Sequence, residues 1–440
     1  MSGFILSLYS GLMRLAQPLL RRKMAQRAVQ EPGYAEASQE RFGHYTHPVE
    51  TTSQLVWLHA VSLGETRTAA ILLKALRAQQ PGLRILLTHG TATGRAEGKA
   101  LLQSGDIQVW QPWDNHTVVA KFFKHFKPRL GLLMETEIWP CTVAAARSRG
   151  MPLVLVNGRL SEKSLQQALT MSPLSYPAYG ALTAVYAQTA GDAKRYRQLG
   201  VDVAGVFGNL KFDASPSDSQ QVMGQAWRQT LGQSVVMFAS SREGEENLFL
   251  EQIKAVAQQI RAQTATSLIV PKWLIVPRHP QRFDEVAALV MRHGLRLSRR
   301  STWTGSPLDS LEAMQADIWL GDTLGDMPLY YALSDVALLG GSFEKLGGQN
   351  LIEAAACGCP VVMGPHTFNF AEAAELAEAA GAALRVADMA GAVQVALEML
   401  SQTDMQQAAA SAGLKFAASH RGATAQTLAA LQPFLNQAAP

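Results

Sequence analysis

GGSFEKLGGQNLIEAAACGCPVVMGPHTFNF, residues 340–370, is the stretch of this 440-residue chain that most restricts its fold. It predicts the end of a strand, a glycine-rich loop, a helix that begins near Asn350 and a short second strand. The N–H groups at the start of that helix would form an anion site. Glu353, one turn in, is placed to accept hydrogen bonds from ribose hydroxyls. Together these features suggest a nucleotide-sugar site, and a tight turn that only packs a helix on a sheet is the alternative.

Apolar strands alternate with helical patterns along most of the chain. In the first half the predicted strands are Gln54–Val61, Arg84–Thr88, Gln108–Trp110, Leu130–Met134 and Pro152–Val156. In the second half they are Val235–Ala239, Trp273–Pro277, Gly294–Leu297, Asp317–Leu320, Val336–Leu339 and Pro360–Met363. Such alternation indicates parallel sheets covered by helices on both faces.

The polar segment Gly208–Ser219 interrupts this rhythm and is the predicted linker. We therefore predict an α/β protein with two Rossmann-like domains and a ligand cleft between the carboxyl ends of their strands. The predicted parts are an N-terminal helix, an acceptor-binding domain, a nucleotide-sugar domain and a C-terminal helical tail, at residues 1–30, 31–212, 213–405 and 406–440.

The amino-acid composition argues against several classes of function. A hydrophobic content of 48% and a charged content of 17% indicate a folded chain with a large core. The net charge of +4 is too small to argue for a nucleic-acid partner. The three cysteines, Cys141, Cys357 and Cys359, lack disulfide-framework spacing and suit a reducing cytosol. Since no His, Asp or Glu cluster has ligand spacing, we predict neither a metal nor another cofactor.

The N-terminus is unusually apolar. The run Phe4–Leu20 is followed by a basic cluster, Arg21, Arg22, Lys23 and Arg27. An apolar helix followed by positive charges is typical of attachment to the cytoplasmic face of a membrane. We therefore predict an inner-membrane location and a lipid surface as a partner, with an ordinary core helix as the alternative.

Glu65 is the predicted general base. It lies in HAVSLGET, residues 59–66, directly after a strand, where a carboxylate at the mouth of a cleft can accept a proton from an attacking hydroxyl. The alternative is a capping box, in which Glu65 bonds to the backbone N–H of Ser62. A helix dipole would then lower the pKa of Glu65 and weaken it as a base.

A second acidic pair occurs in METEIWP, residues 134–140. Glu135 and Glu137 follow a buried strand and precede a helix with Pro140 in its first turn. One of them facing the cleft could orient Glu65 or bind an acceptor. The alternative is that both acids only favour the helix N-terminus.

Three strand ends in the second half predict contacts to an anionic ligand. Ser241 lies in SSREGE, residues 240–245, where a hydroxyl could contact a phosphate. Arg278 offers a planar guanidinium for a phosphate, and His279 beside it is a further donor unless it is structural. The loop DTLGDM, residues 322–327, could bind a base or ribose through its backbone.

These segments, in this order, resemble the 3-deoxy-D-manno-octulosonic acid (Kdo) transferases of lipopolysaccharide synthesis. The resemblance covers roughly residues 54–372. Its pieces are HAVSLGE, METEIWP, NGRLSEKS, GNLKFD, ASSREGEE, IVPRHPQRF, DTLGDM and residues 340–370.

The resemblance implies a GT-B glycosyltransferase that moves Kdo from CMP-Kdo to the lipid A precursor lipid IVA, with inversion. By position, Glu65 matches the family's catalytic base and Glu137 a second essential acid. The residues that match the CMP side are Arg278, His279, Gly325, Met327, Asn350 and Glu353. The chain departs from the family pattern at Gln349, usually His, and at Leu351 and Ala354, often Pro.

Two other functions remain compatible with the pattern. One is a different GT-B enzyme, such as a sugar-nucleotide epimerase, which has the same two domains and an anion-binding helix. The other is a membrane-peripheral protein that binds a nucleotide sugar without turnover. Replacement of Glu65 by Gln distinguishes the latter from a transferase.

Overall fold

The structure, a computed structural model, describes residues 2–52, 54–262 and 270–436. The outermost residues of the predicted first and last segments, residue 1 and residues 437–440, lie outside these ranges. The chain divides into two compact units. The first comprises Met1–Asp213 and Arg421–Pro440, and the second comprises Ala214–His420.

The first unit is built on a parallel sheet of seven described strands in the order β3-β2-β1-β4-β5-β6-β7. The strands are β1 Leu55–His59, β2 Arg84–His89, β3 Ile107–Trp110, β4 Leu130–Met134, β5 Leu153–Gly158, β6 Ala184–Ala187 and β7 Gly205–Val206. Its helices include α1 Ser2–Leu15, α2 Gln17–Gln30, α3 Leu63–Gln79, α4 Ala92–Lys99, α5 His116–Phe126, α6 Pro140–Ser148, α7 Glu162–Thr170, α8 Ser172–Tyr179 and α9 Ala190–Gln198.

The second unit repeats this plan with a parallel sheet in the order β10-β11-β9-β8-β12-β13-β14. The strands are β8 Val235–Ser241, β9 Lys272–Pro277, β10 Leu297–Arg299, β11 Ile318–Leu320, β12 Val336–Leu339, β13 Val361–Met363 and β14 Ala383–Arg385. Its helices are α10 Asp218–Leu231, α11 Glu245–Ala262, α12 Phe283–Arg292, α13 Leu311–Gln315, α14 Met327–Leu333, α15 Ile352–Ala356, α16 Ala371–Ala379, α17 Met389–Ser401 and α18 Thr403–Ser419.

Central strands of both sheets are buried along their whole length. Every residue of β1, β4 and β12 is buried, which agrees with their nearly continuous apolar sequences. Helices on both faces of a parallel sheet require strands of this kind. The predicted α/β class with two Rossmann-like domains is therefore confirmed.

The C-terminal helices are shared between the two units. Helix α18 packs on α15 and α17 in the second unit. The chain then returns to the first unit as α19, Ala423–Leu435, whose Leu428 and Leu431 enter the core beneath α3. The carboxylate of Asp213 accepts the N–H groups of Gly422 and Thr424 and so fixes the start of α19. The structure therefore divides the predicted tail, residues 406–440, between the two units.

The structure corrects the prediction of a membrane segment at the N-terminus. The apolar run Phe4–Leu20 divides into α1 and α2 at Ala16, because Pro18 in the first turn of α2 cannot donate a backbone hydrogen bond. In α1, Leu6 and Tyr9 pack against the core of the first unit. Within residues 2–52, 54–262 and 270–436, no helix has the length and apolarity needed to cross a membrane. The predicted inner-membrane location through this segment is therefore wrong.

Candidate functional site

The two acidic motifs of the first unit meet at the switch point of its sheet. Strand β1 lies between β2, which follows it in sequence, and β4, so the strand order reverses between β1 and β4. Ligands of open α/β sheets bind outside the carboxyl ends of the strands at such a point. Glu65 lies just after β1, and Glu135 and Glu137 lie just after β4.

Glu65 and Ser62 form only part of the predicted capping box at the start of α3. The Ser62 hydroxyl is the N-cap of α3 and accepts the Glu65 N–H at 3.4 Å. The Glu65 carboxylate accepts the Val61 N–H at 2.8 Å, and the Ser62 hydroxyl donates to it at 3.4 Å. The bond from the Ser62 backbone N–H that a capping box requires is thus replaced by one from Val61. The side chain is held at the strand–helix junction and remains partly exposed.

The environment of Glu65 raises its pKa to about 7. Burial is the main cause, and the negative charges of Glu135 and Glu137 add to it. The hydrogen bonds from Val61 and Ser62 oppose the shift. The pKa decrease expected from the helix dipole is therefore outweighed, because desolvation of a carboxylate disfavours its charged form. A carboxylate with a pKa near 7 suits proton transfer at neutral pH.

The two acids after β4 have different surroundings. Glu135 is buried, has a left-handed backbone with φ of 57°, and lies 3.1 Å from the ammonium of Lys211 through its Oε1. Glu137 is half-buried, and burial raises its pKa. Left-handed backbone at a residue other than glycine costs energy and is frequent at functional sites. The acids therefore form a cluster in which Glu135 is paired with a cation, while Glu65 and Glu137 have raised pKa values.

Lys211 is the member of this cluster that sequence reasoning missed. It lies in the predicted linker, yet residues Leu210–Asp213 form a short 3-10 helix of the first unit, and Leu210 is fully buried. The Asn157 side chain, at the end of β5, accepts the Leu210 N–H at 3.0 Å. The motif GNLKFD was a usable signal, because a lysine between two apolar residues is unusual in a solvated linker.

The second unit has its own switch point, between β8 and β12. At the end of β8, Ser240 has a left-handed φ of 56°. Ser241 is fully buried, and its hydroxyl donates to Glu246 at 2.9 Å. The structure thus places the predicted phosphate ligand Ser241 inside the unit, where it fixes the loop.

The glycine-rich loop and its helix differ from expectation. Helix α15 begins at Ile352, two residues later than predicted, and the Asn350 side chain accepts the Ile352 N–H at 3.1 Å. Glu353 is half-buried in the first turn of this helix. Three N–H groups of the loop are bound by a buried carboxylate, that of Glu245. These three donors of the loop are therefore occupied by the protein itself, and they are separate from the predicted anion site at the start of α15.

Arg278 and His279 lie together after β9. The Nε of Arg278 donates to the Gln349 side-chain oxygen at 3.0 Å, which joins the β9 loop to the glycine-rich loop. Burial and the neighbouring charges of Arg242 and Arg278 lower the pKa of His279. At neutral pH, His279 is therefore an uncharged side chain beside a cation.

Gly325 and Met327 lie after β11, at the start of α14. Gly325 has a left-handed φ of 87°, and its carbonyl accepts the Gln220 amide at 3.0 Å. Met327, the first residue of α14, is half-buried. This loop is one strand beyond β9 in the sheet, so it lies on the same edge as Arg278.

Of the three departures from the family pattern, one contacts a predicted ligand residue. Leu351 and Ala354 have no solvent exposure and pack inside the unit, so they are packing positions. Gln349 contacts Arg278 directly. No set of three or more His, Cys, Asp or Glu side chains within the described ranges is arranged to hold a metal ion. The metal-free reaction remains a prediction.

Three comparisons identify related proteins. A family model described as 3-deoxy-D-manno-octulosonic-acid transferase matches residues 36–214. The transferase of that name from Bordetella pertussis is 48% identical over 385 residues, which is 86% of this chain and 87% of that protein. The one from Haemophilus influenzae is 30% identical over 436 residues, or 98% of both chains.

The fold itself is more widely shared. The solved UDP-GlcNAc 2-epimerase from Neisseria meningitidis covers 86% of this chain at a TM-score of 0.55, with 13% identity. At that identity the likeness concerns the fold alone, which hosts several activities. Sequence identity over most of the chain is the stronger finding, and it shows that this chain belongs to the 3-deoxy-D-manno-octulosonic acid transferase family, whose members are glycosyltransferases.

Proposed function

We propose that this protein transfers Kdo from CMP-Kdo to the lipid A precursor lipid IVA, with inversion at the anomeric carbon. Family membership supports the transfer of Kdo. The acceptor and the residue roles follow from the resemblance of the motifs and from the chemistry of the two switch points. Glu65 is the general base, and Arg278 is the principal cation for the nucleotide phosphate.

The reaction is one displacement. Glu65 takes the proton from an acceptor hydroxyl, whose oxygen forms a bond to C2 of Kdo while the bond from C2 to the CMP phosphate breaks. The electron pair of that bond leaves with CMP, and the guanidinium of Arg278 stabilises the added charge. Uncharged His279 can donate a hydrogen bond to the same phosphate. The remaining donor residues are Gly325, Met327, Asn350 and Glu353.

The three acids of the first unit have different roles in the reaction with the acceptor. Glu65 is tuned for proton transfer, because its pKa of about 7 leaves a substantial fraction ionised at neutral pH. Glu137 lies close enough to raise that pKa and serves as the second acid. Glu135, paired with Lys211, holds the strand-end loop in its left-handed conformation. Family membership, together with the position of Glu65 at the carboxyl end of β1 beside the switch point, is the observation that carries the proposal.

The decisive experiment is a mass measurement on the reaction products. Purified protein is incubated with CMP-Kdo and lipid IVA in a chelating buffer, and the lipid is weighed by mass spectrometry. We expect lipid IVA to gain the mass of one or more Kdo residues and CMP to appear in equal number. Unchanged lipid, or CMP release without lipid modification, would refute the proposed transfer to this acceptor.

A further inference from the structure

A buried carboxylate joins the two loops at the switch point of the second unit. Glu245 begins α11 and has no solvent exposure. Its Oε2 accepts the N–H groups of Gly341 at 2.7 Å and Arg242 at 3.1 Å. Its Oε1 accepts those of Phe343 at 3.0 Å and Glu344 at 3.3 Å. One side chain therefore binds both the loop after β8 and the loop after β12.

The four N–H groups take the place of water around this carboxylate. Burial raises the pKa of Glu245, and the hydrogen bonds from the four backbone N–H groups oppose that rise. Backbone donors aimed at a carboxylate favour its ionised form, and such charge-assisted bonds are stronger than those between neutral groups. Glu245 is also the first residue of its helix, where the dipole favours a negative charge. The four backbone N–H groups therefore hold the Glu245 carboxylate as a fixed anion.

The two loops that Glu245 binds are in direct backbone contact. A Cβ on Gly340 would lie 2.3 Å from the carbonyl oxygen of Ser240, so only glycine fits there. Farther along the loop, the Gly341 carbonyl accepts the Gly348 N–H at 2.7 Å. The next residue, Gln349, accepts the hydrogen bond from Arg278. A continuous set of hydrogen bonds thus leads from Glu245 to Arg278.

We propose that Glu245 is a positioning residue for the nucleotide site, which holds the glycine-rich loop so that Gln349 orients the Arg278 guanidinium toward the phosphate of the donor. This inference rests on the proposed function, because it takes Arg278 as the phosphate ligand. Glu245 itself does not contact the nucleotide. Its carboxylate occupies the N–H groups of Gly341, Phe343 and Glu344, so these three donors are not open to the phosphate.

The test replaces Glu245 by Gln and measures the binding of CMP and of cytidine, which lacks the phosphate. The side-chain NH2 of Gln would face backbone N–H donors, whose hydrogen bonds it cannot accept. The hydrogen bonds on that side would be lost, and the loop would be released there. We expect the CMP Kd to rise by at least about tenfold, since small misplacements at a site cost this much or more. The cytidine Kd should change little. A purely structural role would instead affect both ligands alike.

Glu243→Gln is the matched control. Glu243 belongs to the same turn, its side chain is 53% exposed, and its contacts are the ion pairs to Arg242 and Arg282. The replacement removes the same charge without touching the loop N–H groups. We expect the CMP Kd of this variant to stay within about twofold of the unaltered protein.

Hydrogen exchange on the unaltered protein provides a second readout that does not depend on the folding of a variant. The amides of Gly341, Phe343 and Glu344 should exchange slowly, both without ligand and with CMP bound, and should exchange faster in Glu245→Gln. Fast exchange of these amides in the unaltered protein, or their deprotection by CMP, would overturn the inference. Equal or tighter CMP binding by Glu245→Gln would overturn it as well.

The outcomes also separate this inference from the proposed function. If the unaltered protein fails to bind CMP, the donor assignment is wrong and the role of Glu245 falls with it. If CMP binds the unaltered protein and Glu245→Gln equally, only the role of Glu245 is wrong.

Discussion

The ammonium of Lys211 lies 3.1 Å from Oε1 of Glu135. This pair joins the loop after β4 to the short 3-10 helix Leu210–Asp213, which ends the first continuous segment of the first unit. The two side chains are 23% and 11% exposed, so the pair is largely shielded from water. It stabilises a backbone conformation that Glu135 would otherwise rarely adopt. The position of the neighbouring Glu137 depends on that conformation.

Breaking this pair should destabilise the first unit. We expect Lys211→Met to lower the free energy of unfolding by about 1–3 kcal/mol, because it leaves a poorly hydrated carboxylate without its cation. The double variant with Glu135→Gln should lose less than the sum of the two single losses in urea unfolding. As a control, Lys99→Met disrupts an ion pair with Glu36 that is about half exposed, and should change stability little. Strict additivity of the two changes would contradict the coupling.

Glu65→Gln should slow transfer strongly and leave the fold intact. The Gln oxygen can still accept the Val61 N–H, but it cannot take a proton. We expect the transfer rate to fall by about 10²- to 10⁴-fold, the usual contribution of a general base. The CMP Kd should stay unchanged, because the predicted CMP ligands belong to the other unit. Glu97→Gln, at an acid whose side chain is 35% exposed and pairs with Arg67, is the control and should keep full activity. A normal rate for Glu65→Gln would exclude Glu65 as the base.

The rate of transfer should follow the ionisation of Glu65. Because its pKa is raised to about 7, the ionised base becomes scarcer as the pH falls below neutrality. We expect kcat/KM to reach half its upper limit near pH 7 and to drop about tenfold for each further unit of acidification. CMP release measured between pH 5 and 9 provides the profile. A flat profile from pH 5.5 to 8 would indicate a base with an ordinary carboxylate pKa.

The ionisation of Glu65 should also affect the stability of the protein, but in the opposite direction. A higher pH, which activates the base, should lower the free energy of unfolding. A folded-state pKa raised from 4.5 to about 7 means that the folded state binds the Glu65 proton more tightly than the unfolded state. This contribution favours folding only while Glu65 is protonated, and it is lost as the pH rises from 4.5 through 7. At pH 8, Glu65→Gln should therefore be more stable than the unaltered protein by about 1–3 kcal/mol.

The difference should disappear at pH 4, where Glu65 is protonated in both states. Urea unfolding of the two proteins at pH 4, 6 and 8 provides the comparison. Equal stability at all three values would show that Glu65 has an ordinary pKa in the folded protein.

Arg278→Ala should weaken CMP binding selectively. Loss of the guanidinium removes a charge-assisted contact, and we expect the CMP Kd to rise by about 10- to 100-fold while that of cytidine changes little. Arg278→Lys should recover only part of the loss, because an ammonium lacks the planar pair of donors. The control is Arg296→Ala, since Arg296 is 68% exposed and pairs with Asp317 at the opposite edge of the sheet. Equal weakening of both ligands would place Arg278 away from the phosphate.

Local patterns were sufficient for most strands, including several short ones, and missed three of them. The predicted strands Leu130–Met134 and Val336–Leu339 match β4 and β12 residue for residue. Strands β6, β7 and β14 were not predicted, and each becomes a strand by pairing with a neighbour, which is β5, β6 and β13 respectively. The segment predicted as a strand at Gly294–Leu297 is shifted, and β10 begins at Leu297.

The sequence by itself determined the α/β class, the family and the acids that follow β1 and β4, because alternating apolar runs and ordered motifs are local properties of the chain. Only the tertiary structure decided the chemical state of those acids. The pKa of Glu65 depends on burial and on charges some 70 residues away in sequence. The pairing of Lys211 with Glu135, and the occupation of the glycine-rich loop by Glu245, likewise join segments far apart in the chain. Desolvation and hydrogen bonding of a side chain are set by whatever packs around it, and distant segments come together only in the fold.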